Sequence, residues 1–134
     1  DRSVSRGLGD VYKRQVHRCH SYELKLKKIL IHMGITPNYR GYDYIVLAIE
    51  LVFENPTRLQ YVTKELYPEI AKQYHTDWRA VEHSIRIAIL RSWERDQTKY
   101  EKLLGMWKKE KPSAGKFLAT LYAHMLIDFE EEVI

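Results

Sequence analysis

The sequence is poor in the residues that mark secreted and membrane proteins. Its 134 residues include 1 cysteine, Cys19, so no disulfide can form within the chain, which fits a reducing compartment. No apolar run approaches the ~20 residues that a membrane-spanning helix needs, because Glu50 interrupts the longest apolar stretch. The first residues are polar and charged, unlike a signal peptide. We therefore expect a cytoplasmic protein with no membrane contact.

The size and apolar content describe one packed domain. Apolar residues make up 45% of the chain, which excludes a disordered chain, and the length excludes a large multidomain enzyme. Positive charge is concentrated in the middle: residues 58–116 hold 13 Lys and Arg against 8 Asp and Glu, whereas residues 117–134 hold 4 acidic and no basic residues. This distribution suggests a polyanion-facing region, but the charge pattern alone favours an ordinary helical surface.

The first fifteen residues differ from the rest in pattern. They have no apolar periodicity and contain Ser5–Gln15, which resembles a translated adapter sequence. We interpret residues 1–15 as a non-native, adapter-derived or disordered tail and leave them out of the fold prediction. Residues 16–134 then form the domain, with a net charge of +2 once the 4 basic and 2 acidic residues of the tail are removed.

Apolar residues recur at helical spacing from Ser21 onward, and no useful strand-type alternation is present, so we predict an all-α fold of about six helices. Caps and breakers set the boundaries. The helices are predicted from Ser21 to a stop at Gly34, from about Gly41 to Glu54, over Leu59–Leu66, from Pro68 to about Tyr74, from Thr76 or Asp77 to about Trp93, from a Thr98-to-Glu101 capping box to Gly105, and from the cap Ser113 onward. The predicted stripe of the first helix includes Leu24, Leu26 and Leu30.

Residues Pro68–Ile89 have the layout of a helix-turn-helix. The small Ala71 lets a second helix cross closely, His75 and Thr76 form the tight turn, and Val81 lies ten residues after Ala71, which suits a crossing of about 90–120°. Glycine is the commonest residue at this corner, and here it is His75. The same pattern also fits two helices of an ordinary bundle.

The second of these helices has two faces at about 100° per residue. Val81, Ile85 and Ser92 fall on one face, while Arg79, His83 and Arg86 fall on the other. A helix in the major groove needs side chains that reach base edges, and arginine and glutamate bind guanine and cytosine edges respectively. The predicted base contacts are Arg79, Glu82, His83 and Arg86. The predicted phosphate contacts are Lys72, Thr76, Asp77, Trp78 and Arg91, although Trp78 can equally pack.

Several separated motifs are similar to one family. Leu66–Lys72 followed by Val81–Arg86 resembles the C-terminal effector domain of stage-zero sporulation protein A, the response regulator of endospore-forming bacteria. Three further segments agree in the same order: Ile31–Ile35, Arg40–Tyr44, and Lys111–Ser113 with Phe117–Ala119. The resemblance covers roughly residues 26–128.

The resemblance implies an all-helical domain of the winged-helix-like superfamily, without a developed wing. It implies a transcription regulator that binds a short double-stranded DNA box as a homodimer and contacts the sigma subunit of RNA polymerase. The family carries arginines where this sequence has Ala80, His83 and Arg86, a glutamate at Glu82, and often histidine at Ile87. Because two of the arginines are missing, the family's DNA box cannot be transferred to this sequence.

The family also has an N-terminal receiver domain that is phosphorylated on an aspartate beside a divalent cation. No part of this sequence resembles the receiver domain, so we expect that truncation removed it. We also expect no cofactor in this chain. No nucleophile elbow or dinucleotide loop is present, and His17, Cys19 and His20 lack the second close pair that a zinc site needs. We predict no enzyme. The alternative to a DNA-binding regulator is a helical adaptor or anti-sigma-like module that binds protein alone.

Overall fold

The computed structural model describes residues 22–105 and 110–133. Every regular element in them is a helix, and no strand occurs in these two ranges, so the predicted all-α fold is confirmed. None of the described helices combines the length and apolarity that crossing a membrane requires. The predictions that residues 1–15 are a tail, that His17–His20 form no zinc site and that the first helix begins at Ser21 concern residues outside the described part of the chain.

The described part contains six α-helices in chain order. They are α1, whose described part is 22–32, α2 (Arg40–Glu54), α3 (Tyr67–Gln73), α4 (Trp78–Arg95), α5 (Thr98–Leu104) and α6 (Ala114–Val133). The predicted helical stretch Leu59–Leu66 is helical but divided, since a 3-10 helix spans Pro56–Tyr61 and a π-helical turn spans Val62–Leu66.

Two helices end at a glycine in the left-handed conformation, at the positions where glycine predicted their ends. Gly34 has φ +90° and Gly105 has φ +66°, a conformation that glycine adopts without a Cβ clash. After α1, the N–H of Ile35 donates to the carbonyl of Leu30 at 2.8 Å. This bond across the left-handed residue is the 6→1 bond of a Schellman motif, which satisfies one of the free carbonyls at the helix end.

The start of α5 differs from the prediction. Thr98 is the first helical residue rather than the cap, and the preceding Gln97 makes no side-chain capping bond. The carboxylate of Asp96 instead accepts from the Thr98 backbone N–H at 3.0 Å and from its hydroxyl at 2.5 Å. The predicted Thr98-to-Glu101 capping box is therefore wrong, because an acceptor two residues before Thr98 takes both of its donors.

The core lies between α2 and α4. On α2, Ile45, Ala48 and Val52 are fully buried, and on α4 Val81 and Ile85 are fully buried. Burial of such side chains contributes about 1.5–3 kcal/mol each for the larger ones. On α1, Leu26 and Leu30 are buried as predicted, whereas Leu24 is 49% exposed, so its place in the predicted apolar stripe is wrong.

Aromatic rings connect the end of α4 to α5 and α6. The ring centroids of Trp93 and Tyr100 are 5.1 Å apart, and those of Tyr100 and Phe117 are 5.9 Å apart. The Tyr100 hydroxyl lies 2.5 Å from Ser92 Oγ and 3.2 Å from the carbonyl oxygen of Ile89, and Ser92 Oγ donates to the same carbonyl at 3.0 Å. This buried polar group fixes the C-terminal half of α4.

Candidate nucleic-acid interface

The four residues Tyr74–Asp77 join α3 to α4. His75 has φ +55°, the only left-handed non-glycine residue in the described chain. The N–H of Thr76 donates to the carbonyl of Ala71 at 2.9 Å, and that of His75 donates to Lys72 at 3.5 Å. These are the two bonds of a Schellman motif, with histidine in the position that glycine usually takes. The tight turn predicted at His75 and Thr76 is confirmed.

Asp77 begins α4. Its extended backbone and its side chain cap the helix, since Oδ1 accepts from the Ala80 N–H at 2.9 Å. Of the two predicted caps, the structure uses Asp77 rather than Thr76. The Val81 N–H donates to the Asp77 carbonyl, so the N–H groups of Trp78 and Arg79 remain for another acceptor at this helix end.

Burial along α4 follows the predicted faces. Val81, Ile85 and Ser92 are buried, together with Ala88, Ile89 and Trp93. Arg79, His83 and Arg86 are exposed on the opposite side. Ile87 and Leu90 are half-buried at the boundary between the two faces. The core side of α4 therefore faces α2, and its basic side faces solvent.

Three of the predicted base-contacting residues contact one another. Arg86 Nη2 lies 3.0 Å from His83 Nδ1, and Arg86 Nε lies 3.6 Å from Glu82 Oε1. Because arginine has no acceptor, Nη2 donates and His83 Nδ1 accepts. Both partners hold one edge of the Arg86 guanidinium, so the Nη1 end remains available to a ligand. The i,i+3 and i,i+4 spacings of these residues were the sequence signal for this cluster.

Glu82 is oriented toward α3 as well as toward Arg86. Its side chain is 31% exposed, and its Oε2 is buried without a hydrogen-bond partner. On α3, burial and then the charge of Glu82 raise the pKa of Tyr67 to about 12. Tyr67 is 2% exposed. Tyr67 is not recognisable from the sequence as a neighbour of the site, because nothing in its spacing from Glu82 indicates the contact between α3 and α4.

The remaining predicted residues lie around the start of α4. The Arg79 guanidinium carbon is 5.4 Å from the centre of the Trp78 ring, within the range of a cation–π contact. Trp78 is 37% exposed. Lys72, Thr76 and Arg91 are exposed. Arg79 and Trp78 thus form one surface beside the turn, and Lys72 lies on the preceding helix.

The described residues offer no site for a bound metal. Across 22–105 and 110–133, no three side chains of histidine, cysteine, aspartate or glutamate come together in a way that would hold an ion. The basic side of α4 is instead suited to an anionic polymer, since it combines exposed guanidinium groups with free helix N–H groups.

One protein family matches this chain. The family described as sporulation initiation factor Spo0A C terminal matches residues 26–125. The match includes α2 to α5, the turn at His75, and most of α1 and α6. This family consists of DNA-binding domains of response regulators that control transcription in sporulation. The match covers most of the chain, and the protein belongs to the family of the Spo0A C-terminal DNA-binding domain.

Proposed function

We propose that this domain is a sequence-specific transcription regulator that binds double-stranded DNA with α4 in the major groove. The observation that carries the proposal is the division of α4 into a buried apolar face and an exposed face holding Arg79, His83 and Arg86. An amphipathic helix directly after a tight turn has the form of the recognition helix in a helix-turn-helix. Family membership supports DNA binding by this domain.

The N-terminal half of α4 supplies the base contacts in this proposal. Arg86 presents its Nη1 end to a guanine edge, with His83 and Glu82 restricting its orientation. Arg79 reaches the neighbouring base pair. Lys72, Thr76, Trp78 and Arg91 contact phosphates, which position the helix without selecting a sequence. Asp77 contributes as the cap that ends the turn, and its carboxylate faces the Ala80 N–H rather than a phosphate.

The test is a titration of labelled duplex DNA at two salt concentrations with a scrambled competitor. Sites for the titration are selected from a random duplex library. Arg86→Ala is expected to weaken specific binding by ~1–3 kcal/mol and to relax selectivity at one base pair. Lys72→Ala is expected to weaken binding to specific and scrambled DNA alike and to lower the salt slope by ~1.

Arg40→Ala is the matched control, since Arg40 is an exposed arginine at the start of α2 and belongs to neither helix of the α3–α4 pair. Its effect is expected to be small. If Arg86→Ala binds the selected site as tightly as the unchanged protein, the proposed role of Arg86 is wrong. If no salt-dependent binding occurs at all, the domain works as a protein-interaction module instead.

The family suggests two further parts of this function. We propose that two copies bind one DNA site and that the bound domain contacts the sigma subunit of RNA polymerase, with the regulator acting in the cytoplasm. Sedimentation with a selected duplex is expected to give two protein chains per duplex. A purified sigma subunit is expected to bind the protein–DNA complex, and its failure to do so would remove that part of the proposal.

A further inference from the structure

A groove lies on the side of α2 away from α4. It is a cavity of about 460 Å³ between α1 and α2, with Tyr22, Leu26 and Phe53 among its lining residues. The rings of Tyr22 and Phe53 have centroids 4.0 Å apart, and Tyr22 and Phe53 are half-buried. The surface is therefore apolar and aromatic, and open to solvent.

Carboxylates surround this apolar surface. Glu23, Glu50 and Glu54 line the same cavity, and we call this cavity with its three carboxylates the acidic groove. No basic residue is among those that line this cavity, although Lys27 on α1 pairs with Glu23 at 3.0 Å. Burial is the largest cause of the raised pKa of Glu50. The negative charges of Glu23 and Glu54 raise it further, and the positive charge of Lys27 acts in the opposite direction. A further cation beside Glu50 and Glu54 would therefore be stabilised by their charges.

The acidic groove continues along α2. A second cavity of about 300 Å³ shares Glu23 and Glu50 with the first and extends along α2 to Leu47 and Asp43. It is also lined by Lys27 and, next to the turn between α3 and α4, by Tyr74. Positions 43, 47, 50 and 54 recur at helical spacing and form one stripe along α2. The helix has 15 residues and no basic residue in its last turn. The stripe is long enough to accompany about three turns of a second helix.

The acidic groove and the basic face of α4 point in opposite directions. Gly41, Ile45 and Ala48 are on the side of α2 that packs toward α4, about half a turn from the stripe. On α4, Arg79 and Arg86 are about half a turn from the side that faces α2. A ligand in the first cavity, between α1 and α2, would therefore leave the exposed arginines of α4 open. Its chemistry is also the reverse of DNA, because the groove repels phosphates.

We propose that the acidic groove binds a basic amphipathic helix of a partner protein while α4 is on DNA. Leucine-type side chains of that helix pack on the aromatic surface. Its lysines or arginines lay their apolar stems along the rings of Tyr22 and Phe53 and pair with the carboxylates of Glu50 and Glu54. This inference does not depend on the DNA site that α4 selects.

The test uses the full chain and a labelled synthetic peptide of about 15 residues, which matches the length of α2. The peptide contains leucine at i, i+3, i+4 and i+7 and lysine elsewhere. Saturable binding by fluorescence anisotropy is expected, at one peptide per chain. It is measured without DNA, because a lysine-rich peptide also binds duplex DNA. A scrambled peptide of the same composition and a peptide with glutamate in place of lysine are expected to bind at least several-fold more weakly.

Substitutions identify the surface. The double variant Glu50→Gln with Glu54→Gln is expected to weaken peptide binding roughly fivefold to tenfold. The matched control, Glu65→Gln with Glu94→Gln, removes two exposed carboxylates elsewhere and is expected to change binding less than about twofold. Far-ultraviolet circular dichroism checks that both variants keep their helical content.

Three outcomes would overturn the proposal. Equal weakening by the control variant would mean that the peptide is held by overall charge. Tighter peptide binding after Lys13, Arg14 and Arg18 are replaced by glutamine would mean that the chain's own N-terminal segment competes for the groove. Self-association that the Glu50 and Glu54 substitutions abolish would mean that a second copy occupies it.

Discussion

A Cβ atom added to Gly41 would lie 2.5 Å from the carbonyl oxygen of Ser84. It would also lie 2.9 Å from the Cβ of Ala88. Gly41 is at the start of α2, and Ser84 and Ala88 are on the buried side of α4. The glycine therefore sets how closely α2 approaches the helix that carries the basic face, since an ordinary Cβ contact needs more than about 3.4 Å.

Gly41→Ala is expected to lower the free energy of unfolding by about 1–3 kcal/mol, because one of the clashing atoms is backbone and cannot rotate away. Urea unfolding followed by circular dichroism measures the change. Gly115→Ala is the control, since its Cβ would meet only Val62 Cγ2, at 3.8 Å. That variant is expected to be neutral or slightly more stable. Equal effects of the two substitutions would contradict the close approach at Gly41.

The turn residue His75 pays a conformational cost that glycine avoids. With φ +55°, its backbone lies in the left-handed region. There the Cβ atom crowds the backbone, which costs non-glycine residues roughly 1 kcal/mol. His75→Gly is expected to raise the free energy of unfolding by up to about 1 kcal/mol, offset in part by the greater freedom of glycine in the unfolded chain. His75→Val is expected to lower it by about 1 kcal/mol or more, because β-branched residues are least tolerant there.

The order of stability Gly, then His, then Val in thermal unfolding checks this prediction. Lys72→Ala, within α3, is the control, because it changes a residue that is not in the left-handed conformation. A His75→Gly variant that is clearly less stable than the unchanged protein would mean that the imidazole makes a contact worth more than the backbone strain.

Periodicity predicted the two faces of α4 because a long amphipathic helix repeats its buried positions in the sequence itself. Glycine predicted the helix ends at Gly34 and Gly105, because it is favoured in left-handed caps. The capping-box motif failed at Thr98, because the competing acceptor Asp96 lies two residues before the motif. Leu24 was misplaced because helical spacing identifies a stripe but not where the stripe leaves the core.

The sequence did not predict which residues of one helix contact which residues of another. The pattern indicated that α2 and α4 are amphipathic, but it did not indicate that Gly41 meets Ser84 or that Tyr67 lies near Glu82. Such contacts depend on how the helices cross, and crossing angles vary with side-chain packing. The candidate residues on one helix were therefore predictable as a set, whereas the residues that restrain them from another helix were not.

Alkaline pH is expected to unfold the domain through its buried tyrosines. Burial raises the pKa of Tyr100 to about 12, with the Ser92 hydrogen bond acting in the opposite direction. The unfolded pKa is about 10. Because the folded pKa is the higher one, the contribution of Tyr100 is fully present below about pH 10 and is lost as the pH rises toward 12, by roughly 2 kcal/mol.

Tyr100→Phe is expected to reduce this loss while costing about 1 kcal/mol at neutral pH, where its hydrogen bond to Ser92 is missing. Urea unfolding at several pH values between about 8 and 12 measures both effects. Tyr61→Phe is the control, since Tyr61 is 52% exposed. An unchanged alkaline dependence in Tyr100→Phe would assign the effect to other groups, among which Tyr67 has a pKa of about 12.

The contact between His83 and Arg86 is expected to contribute to DNA affinity through Arg86. His83 Nδ1 accepts from Arg86 Nη2 at 3.0 Å, so His83 limits the orientations of the guanidinium before DNA binds. Restricting a side chain in its bound orientation lowers the entropic cost of binding. His83→Ala is therefore expected to weaken specific DNA binding more when Arg86 is present than when it is alanine, with a coupling of about 0.5–1.5 kcal/mol.

A double-mutant cycle on a selected duplex measures this coupling. His83→Asn is expected to retain part of it, because the amide oxygen of asparagine is an acceptor at the same branch position as Nδ1. Thr76→Ala paired with Arg86→Ala provides the control cycle, in which the effects are expected to add, since Thr76 is in the turn and not in contact with Arg86. Additive losses for His83 and Arg86 would mean that His83 contacts DNA independently and does not position the arginine.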